Sequence, residues 1–176
     1  MTLHAKPARI TGSAPFKQGM RALVGAVSVV AVQDANGFSA GLTATAVCSL
    51  SADPPSLLVC VNRSSTIAPG LKQDDAFSVN VLAEDQIEVA QAFGGQKTVQ
   101  GPARFIYGSW ARSAHDTPLL VGARVSFECV VEKVMDYATH HIVIGRVTDV
   151  HLRHPSPKAL LYGDGRYISA GETEAA

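Results

Sequence analysis

Two short segments of this sequence carry residue types that can hold a phosphorylated ring. Thr43, Ala44, Thr45, Ala46, Val47, Cys48 and Ser49 form a small, hydroxyl-rich, β-prone run. Asn62, Arg63, Ser64, Ser65 and Thr66 follow one apolar strand later and read as the opening of a helical turn. Backbone amides and small hydroxyls can meet the carbonyl and N–H groups on a ring's edge with no bulky side chain in the way. Free N–H groups at a helix start bind anions, and hydroxyls and a guanidinium add to that grip. The pairing points to a flavin more than to any other common ligand. Composition alone reads the first segment as an ordinary strand, while spacing leaves the second evenly balanced between a phosphate site and a serine N-cap beside a solvated arginine.

The elements that must position these residues follow from the apolar pattern. Phe16, Met20, Leu23 and Val24 recur at helical spacing, which predicts a helix over 15–24. Residues 26–32 are a β-branched run, Asp34-Ala35-Asn36-Gly37 supplies turn chemistry, and 38–49 reads as the return strand of a hairpin. Asp53-Pro54-Pro55 stops that strand, 57–61 is a continuous apolar strand, and Ser64 or Ser65 caps a helix with Pro69 in its first turn and Gly70 at its end. A strand over 77–82 precedes a helix from near Asp85 to Gly94-Gly95. Residues 94–104 read as a loop and 105–110 as a short strand. Val125, Phe127, Cys129 and Val131 alternate with polar residues, a turn lies over 135–139, and strands follow over 141–150 and 159–162. Seven or eight strands, two or three helices and no βαβ alternation predict a mainly β protein: an antiparallel barrel with flanking helices packed outside.

A chain of 176 residues fits one domain, expected over 14–169, with loose polar tails at 1–13 and 170–176. Apolar residues make up 47% and charged residues only 17%, so a partner subunit is expected to cover part of the surface. Fifteen basic residues balance fifteen acidic ones, so no field draws the chain to nucleic acid or an acidic membrane. No apolar run approaches the roughly 20 residues that span a bilayer, and the start of the chain lacks a signal-peptide pattern. Three widely spaced cysteines, Cys48, Cys60 and Cys129, predict reduced thiols in a cytoplasmic protein. A thiolate at Cys48 would need a cationic neighbour, which the sequence nearby does not supply, while Cys60 and Cys129 read as core.

Familiar motifs are missing. Gly163-Asp164-Gly165 has Ile168 where a dinucleotide fingerprint needs its third glycine, which argues against a Rossmann site. His151 and His154 sit three apart with Pro155 following, and they read as a surface pair that no carboxylate or cysteine accompanies, so no metal is expected.

The residues resemble the flavin reductase-like family, whose fold is an FMN-binding split barrel. The family includes the small reductase components of two-component flavin monooxygenases. The resemblance runs from Phe16 to Ile168 and is strongest over 41–50, 53–55 and 57–65. Weaker support comes from 77–82, 90–93, 140–147, and 160–162 with Arg166 and Tyr167. It implies that Thr43 to Ser49 lie at the isoalloxazine and Asn62 to Thr66 at the flavin phosphate. It also implies that His140 positions the nicotinamide, although Ala138 and Thr139 stand where the family often has Gly-Asp. Arg166 and Tyr167 resemble the family's C-terminal contact pair, and Phe93 with Gly94 and Gly95 is expected at the pocket edge. The implied activity is NADH- or NADPH-dependent reduction of FMN or FAD, with hydride transfer to flavin N5 and reduced flavin supplied to a separate monooxygenase. One alternative is a flavoprotein with tightly bound flavin that passes electrons to another acceptor, such as a cobalt corrin. Another is a flavin-binding protein without turnover. The family's pairing implies a homodimer.

Overall fold

The computed structural model describes residues 12–33 and 36–170. The chain runs α1 (Ser13–Arg21), β1 (Gly25–Ala26), β2 (Ser28–Gln33), β3 (Ser39–Ala44), β4 (Val47–Ala52), β5 (Pro55–Asn62) and β6 (Ala76–Val81). It continues through α2 (Ile87–Phe93), β7 (Trp110–Arg112), β8 (Pro118–Leu120), β9 (Val125–Tyr137), β10 (His140–Leu152), β11 (Leu160–Gly163) and β12 (Arg166–Ser169).

Seven strands form one antiparallel sheet in the order β3-β2-β6-β9-β10-β5-β4. β3 and β4 are therefore its two outer strands, yet only Thr45 and Ala46 separate them along the chain. A link of two residues spans only a few ångströms, so the sheet must curl until its edges meet. The result is a barrel with an unladdered seam at Thr45–Ala46, the split barrel that the resemblance implied. A smaller sheet, β1-β11-β12, lies beside it, with Gly25 against Thr45: a Cβ on Gly25 would sit 3.3 Å from that threonine's Cβ.

The β-branched run at 27–32 serves two cores, because alternate residues of a strand face opposite sides. Val30 and Val32 join Val59, Val61, Phe77, Val79, Val131 and Val143 inside the barrel. Val27 and Val29 join Leu82, Val89, Phe93, Leu120 and Leu160 in a second cluster outside it, where α2 packs against β2 and β3. Buried Asn80 pins β8 to β6: its Oδ1 accepts from Leu120 N (2.9 Å) and Ser126 Oγ (2.7 Å), and its Nδ2 donates to Val29 O (3.2 Å).

Several expectations need correction. The described residues hold twelve strands, more than seven or eight, because the barrel breaks runs that look continuous in sequence. The strand expected over 38–49 stops at Ala44 and restarts at Val47, since the chain crosses from one sheet edge to the other there. Asp53-Pro54-Pro55 makes a tight return, with Pro55 already paired to Ala52. No helix starts at Ser64 or Ser65; the only helical turn nearby is the 3-10 turn Ala68–Gly70. Residues expected to be loop and strand over 94–110 contain a 3-10 helix, Gly101–Ile106, and the strand begins at Trp110. The turn expected over 135–139 shrinks to two residues, with Ala138 at φ 48°. The helix expected over 15–24 runs from Ser13 to Arg21 and buries none of its residues. Residues 1–11 and 171–176 of the expected tails, and Asp34-Ala35 of the expected turn, lie outside the described residues. Within them, Ser13 is helical and Ala170 N donates to Ala159 O at 3.1 Å.

Candidate functional site

The seam gathers much of what the sequence singled out. Thr45 and Ala46 are exposed, and Ala46 O accepts from Cys60 N at 3.1 Å, which ties the link to β5. β10 pairs with β5 so that His140 lies opposite Asn62. Residues 45–46, the end of β5 and the start of β10 therefore share one end of the barrel. From the other side, the β11–β12 hairpin brings Tyr162 and Tyr167, whose rings meet edge to face at 5.2 Å.

Two cavities meet along this line. One, about 660 Å³, is bordered by Thr45, Ala46 and Val47 on one side and by Tyr162, Gly163 and α1 on the other. The second, about 220 Å³, is walled by Thr43, Thr45, Gly94, Tyr162 and Tyr167. Thr45 and Tyr162 belong to both. The larger cavity alone has the size of a small-molecule site, roughly 300–1,000 Å³.

The first segment divides by strand alternation and burial. Thr43, Thr45, Ala46 and Val47 border the cavities, although Thr43 Oγ1 is committed to Ala90 O at 2.8 Å. Ala44 points into the barrel core. Cys48 and Ser49 are exposed on β4 and border neither cavity.

The second segment does not offer the free helix-start amides expected of it. Ser64 N and Oγ both donate to Asn62 Oδ1 at 2.9 Å, an Asx turn that replaces the helix. Arg63 N donates to Thr139 O (3.0 Å) and Ser65 N to Asn62 O (3.0 Å). The Arg63 guanidinium faces the β9–β10 turn, 3.8 Å from the Asp136 carboxylate, with Nη1 donating to Ala138 O at 3.5 Å. Ser65 Oγ, by contrast, is buried with no hydrogen-bond partner. An unsatisfied buried hydroxyl costs about 1–3 kcal/mol, and a phosphate oxygen arriving there would satisfy it. Thr66 is exposed beside it.

His140 is exposed, and its Nδ1 lies 2.9 Å from Thr139 Oγ1; the neighbouring His141 is taken up by Asp136 at 2.6 Å. Tyr167 borders the smaller cavity, whereas Arg166, paired with Gly163, points from the hairpin turn into solvent. Phe93 needs correction: it is 2% exposed, packed on Phe105 and Trp110 and under Gly41, so its ring cannot meet a ligand. Its neighbour Gly94 does border the smaller cavity.

Residues 20–171 match the flavin reductase like domain family. The chain belongs to this family. It is 36% identical over 158 residues to the FMN reductase (NADH) RutF of Klebsiella pneumoniae subsp. pneumoniae, covering 90% of this chain and 94% of that protein. Among solved structures it resembles BorF, the flavin reductase component of a bacterial two-component tryptophan halogenase, at TM-score 0.80 and 31% identity over 92% of this chain and 100% of that one. The styrene monooxygenase flavin reductase of Pseudomonas putida S12 gives 0.78 and 26%, over 90% and 98%.

This flavin reductase-like domain has features that the pattern along the chain did not disclose. Tyr162 and α1 were missed as walls. The signal for Tyr162 was weak, and that for α1 was an apolar face with no core to fill. His151 does have carboxylates beside it: pairing of β9 with β10 places Glu128 Oε1 2.7 Å from its Nε2, and Asp149, two residues earlier on β10 and overlooked in the sequence, puts its Oδ2 at 3.8 Å. Burial, with the Glu128 charge beside it, pushes the Cys129 thiol up to about 12. Burial and the neighbouring Tyr162 also raise the Tyr167 phenol above its ordinary value.

Proposed function

We propose that this chain is an NADH-dependent FMN reductase that works at the Thr45–Ala46 seam. The observation that carries the reading is the larger cavity opening at that seam, where two sheet edges meet without a ladder between them. The residues present fit a flavin. Exposed backbone at Thr45 and Ala46 can receive the polar edge of the ring, Tyr162 and Tyr167 wall it, and the unpartnered Ser65 hydroxyl suits a phosphate.

Bound flavin supplies an acceptor atom, N5, for the hydride of a reduced nicotinamide. The protein's task is to hold two rings face to face and keep water from between them. His140, on the strand beside Asn62, can orient the nicotinamide. Hydride transfer needs no side chain to donate a proton, which agrees with a site walled by backbone, hydroxyls and tyrosines.

Further parts of the reading concern partners. Of the structural relatives named above, one is the flavin reductase component of a two-component halogenase and the other the flavin reductase of a styrene monooxygenase, and this chain is taken to supply reduced flavin to a separate flavin-dependent oxygenase. A homodimer is proposed from the large apolar side chains left exposed on β4, β9 and β10: Leu50, Met135, Tyr137, Val150 and Leu152. Residues 14–169 are proposed as the catalytic domain. The cytoplasm is proposed from the free thiols; no described helix is long and apolar enough to cross a membrane.

The test is anaerobic mixing of purified protein with FMN, then NADH. Rapid bleaching of the flavin absorbance is expected. Tight FMN binding with bleaching no faster than the uncatalysed reaction would overturn the reading.

A further inference from the structure

The larger cavity has a second wall that the flavin reading leaves unused. α1 contributes Phe16, Lys17, Met20 and Arg21 to it. Positions i, i+1, i+4 and i+5 share one helix face. That face carries an apolar row, Phe16 and Met20, which are 67% and 47% exposed, and a cationic row, Lys17 and Arg21. No residue of α1 is buried, so the helix does not exist to fill a core.

It is nonetheless anchored. Arg21 O accepts from Asp164 N at 2.7 Å. Val24 lies so close to Gly163 that a Cβ there would stand 2.8 Å from Val24 Cγ2. These contacts fix the end of α1 at the β11–β12 turn, across the cavity from Thr45–Val47. Among the described residues, neither Lys17 nor Arg21 has an acidic partner or a side-chain hydrogen bond. Two cations and an apolar strip are thus held over a concave wall, with nothing among the described residues to neutralise them.

Hydride transfer stacks two rings, and each brings an anionic tail that must leave the stack. The flavin phosphate has the Ser65 hydroxyl available on the β5 side of the seam, and Ser65 borders neither cavity. The tail of the donor therefore needs another exit, and the α1 side has the charge for it. We propose that the α1 face binds the adenosine diphosphate half of the dinucleotide hydride donor: Lys17 and Arg21 meet the diphosphate, and Phe16 and Met20 form a platform for the adenine. This rests on the flavin reductase reading and assigns its second substrate a place. FAD carries the same adenosine diphosphate group, so the test must separate the two sources.

The experiment compares the natural chain with Lys17→Ala/Arg21→Ala and with the charge-preserving Lys17→Arg/Arg21→Lys. Anaerobic steady-state rates are measured with FMN or FAD as acceptor, and with NADH or reduced nicotinamide riboside, which lacks both phosphate and adenosine, as donor. Thermal melts check folding; substitutions on a helix with no buried residue are expected to leave them unchanged. In the alanine variant the KM for NADH rises about tenfold or more, the loss of one charge-assisted contact or better. The KM for the riboside changes less than about twofold, and the charge-preserving variant recovers most of the loss. An equal rise for the riboside, a rise in the KM for FAD with that for NADH unchanged, or no rise at all would each overturn the inference while leaving the reductase reading intact. A natural chain that reduces neither flavin with either donor overturns both.

Discussion

At the scale of single residues, the hydroxyl of Ser65 is the sharpest feature of the site. It is buried, it lacks a partner, and it lies in the segment that the sequence assigns to the phosphate. Ser65→Asp puts a carboxylate where a phosphate is expected, so binding of FMN should weaken far more than binding of riboflavin, which has no phosphate. Fluorescence titration with both ligands checks this, and equal losses would move the phosphate elsewhere. The thiols give a second prediction. Cys129 is pushed up to about 12 from an ordinary 9.0. Above about pH 9 the unfolded chain loses that proton and the folded chain keeps it. The unfolded state is thereby favoured, and stability falls as pH rises from about 9 towards 12, at up to about 1.4 kcal/mol per pH unit. Urea melts at a series of alkaline pH values should show that slope. Cys129→Ala should flatten it, leaving the part that Tyr167, also raised, adds above its ordinary 10.0.

At the scale of elements, two glycines make opposite predictions. A Cβ on Gly145 of β10 would run into the Phe77 ring and stand 3.3 Å from Cys129 Cβ inside the barrel. Gly145→Ala should therefore destabilise by about 1–3 kcal/mol, the cost of overpacking a full core. Gly19 in α1 has nothing within 4 Å of such a Cβ, and Gly19→Ala should stabilise by about 0.5–1 kcal/mol through helix propensity alone. Calorimetric melts separate the two. The elements also show what was legible beforehand. The run at 27–32 was readable as a strand because both of its faces are buried, and that at 57–61 because Leu57, Val59 and Val61 are buried while Leu58 and Cys60 on the other face are partly covered, so apolar residues follow one another without a gap. The break at Thr45–Ala46 was not, since the segment stays β-prone straight through; closure of the barrel imposes the break, and no local residue does. The missing helix at Ser64 was hidden for the opposite reason: Asn62 captures the Ser64 amide with its side chain and diverts the turn.

At the scale of the whole molecule, the sequence offered the two halves of the flavin segment but not what faces them. Thr45 meets Tyr162 only because the β11–β12 hairpin folds back over the seam, a contact between distant positions that no periodicity encodes. Glu128 and His151 escaped notice in the same way, since they are neighbours across two strands and far apart along the chain. The proposed dimer belongs to this scale too. α2 covers β2 and β3 on one side, while Leu50 on β4 and Leu152 on β10 stand 50% and 62% exposed on strands that no described helix covers. Light scattering at micromolar concentration should give twice the 18.5 kDa of one chain. Leu50→Glu/Leu152→Glu should lower it to a single chain, and a monomeric mass for the natural protein would remove the proposal.

The meeting of β3 and β4 without rungs has one more outcome. Each of these strands is secured on one flank only, so the wall should breathe most easily along this line, and its amides should trade protons for deuterons sooner than those of β6 or β9. A flat molecule wedged into the gap would act as a rivet. Deuterium uptake along 39–52 should slow when FMN is added, while the doubly flanked strands keep their pace.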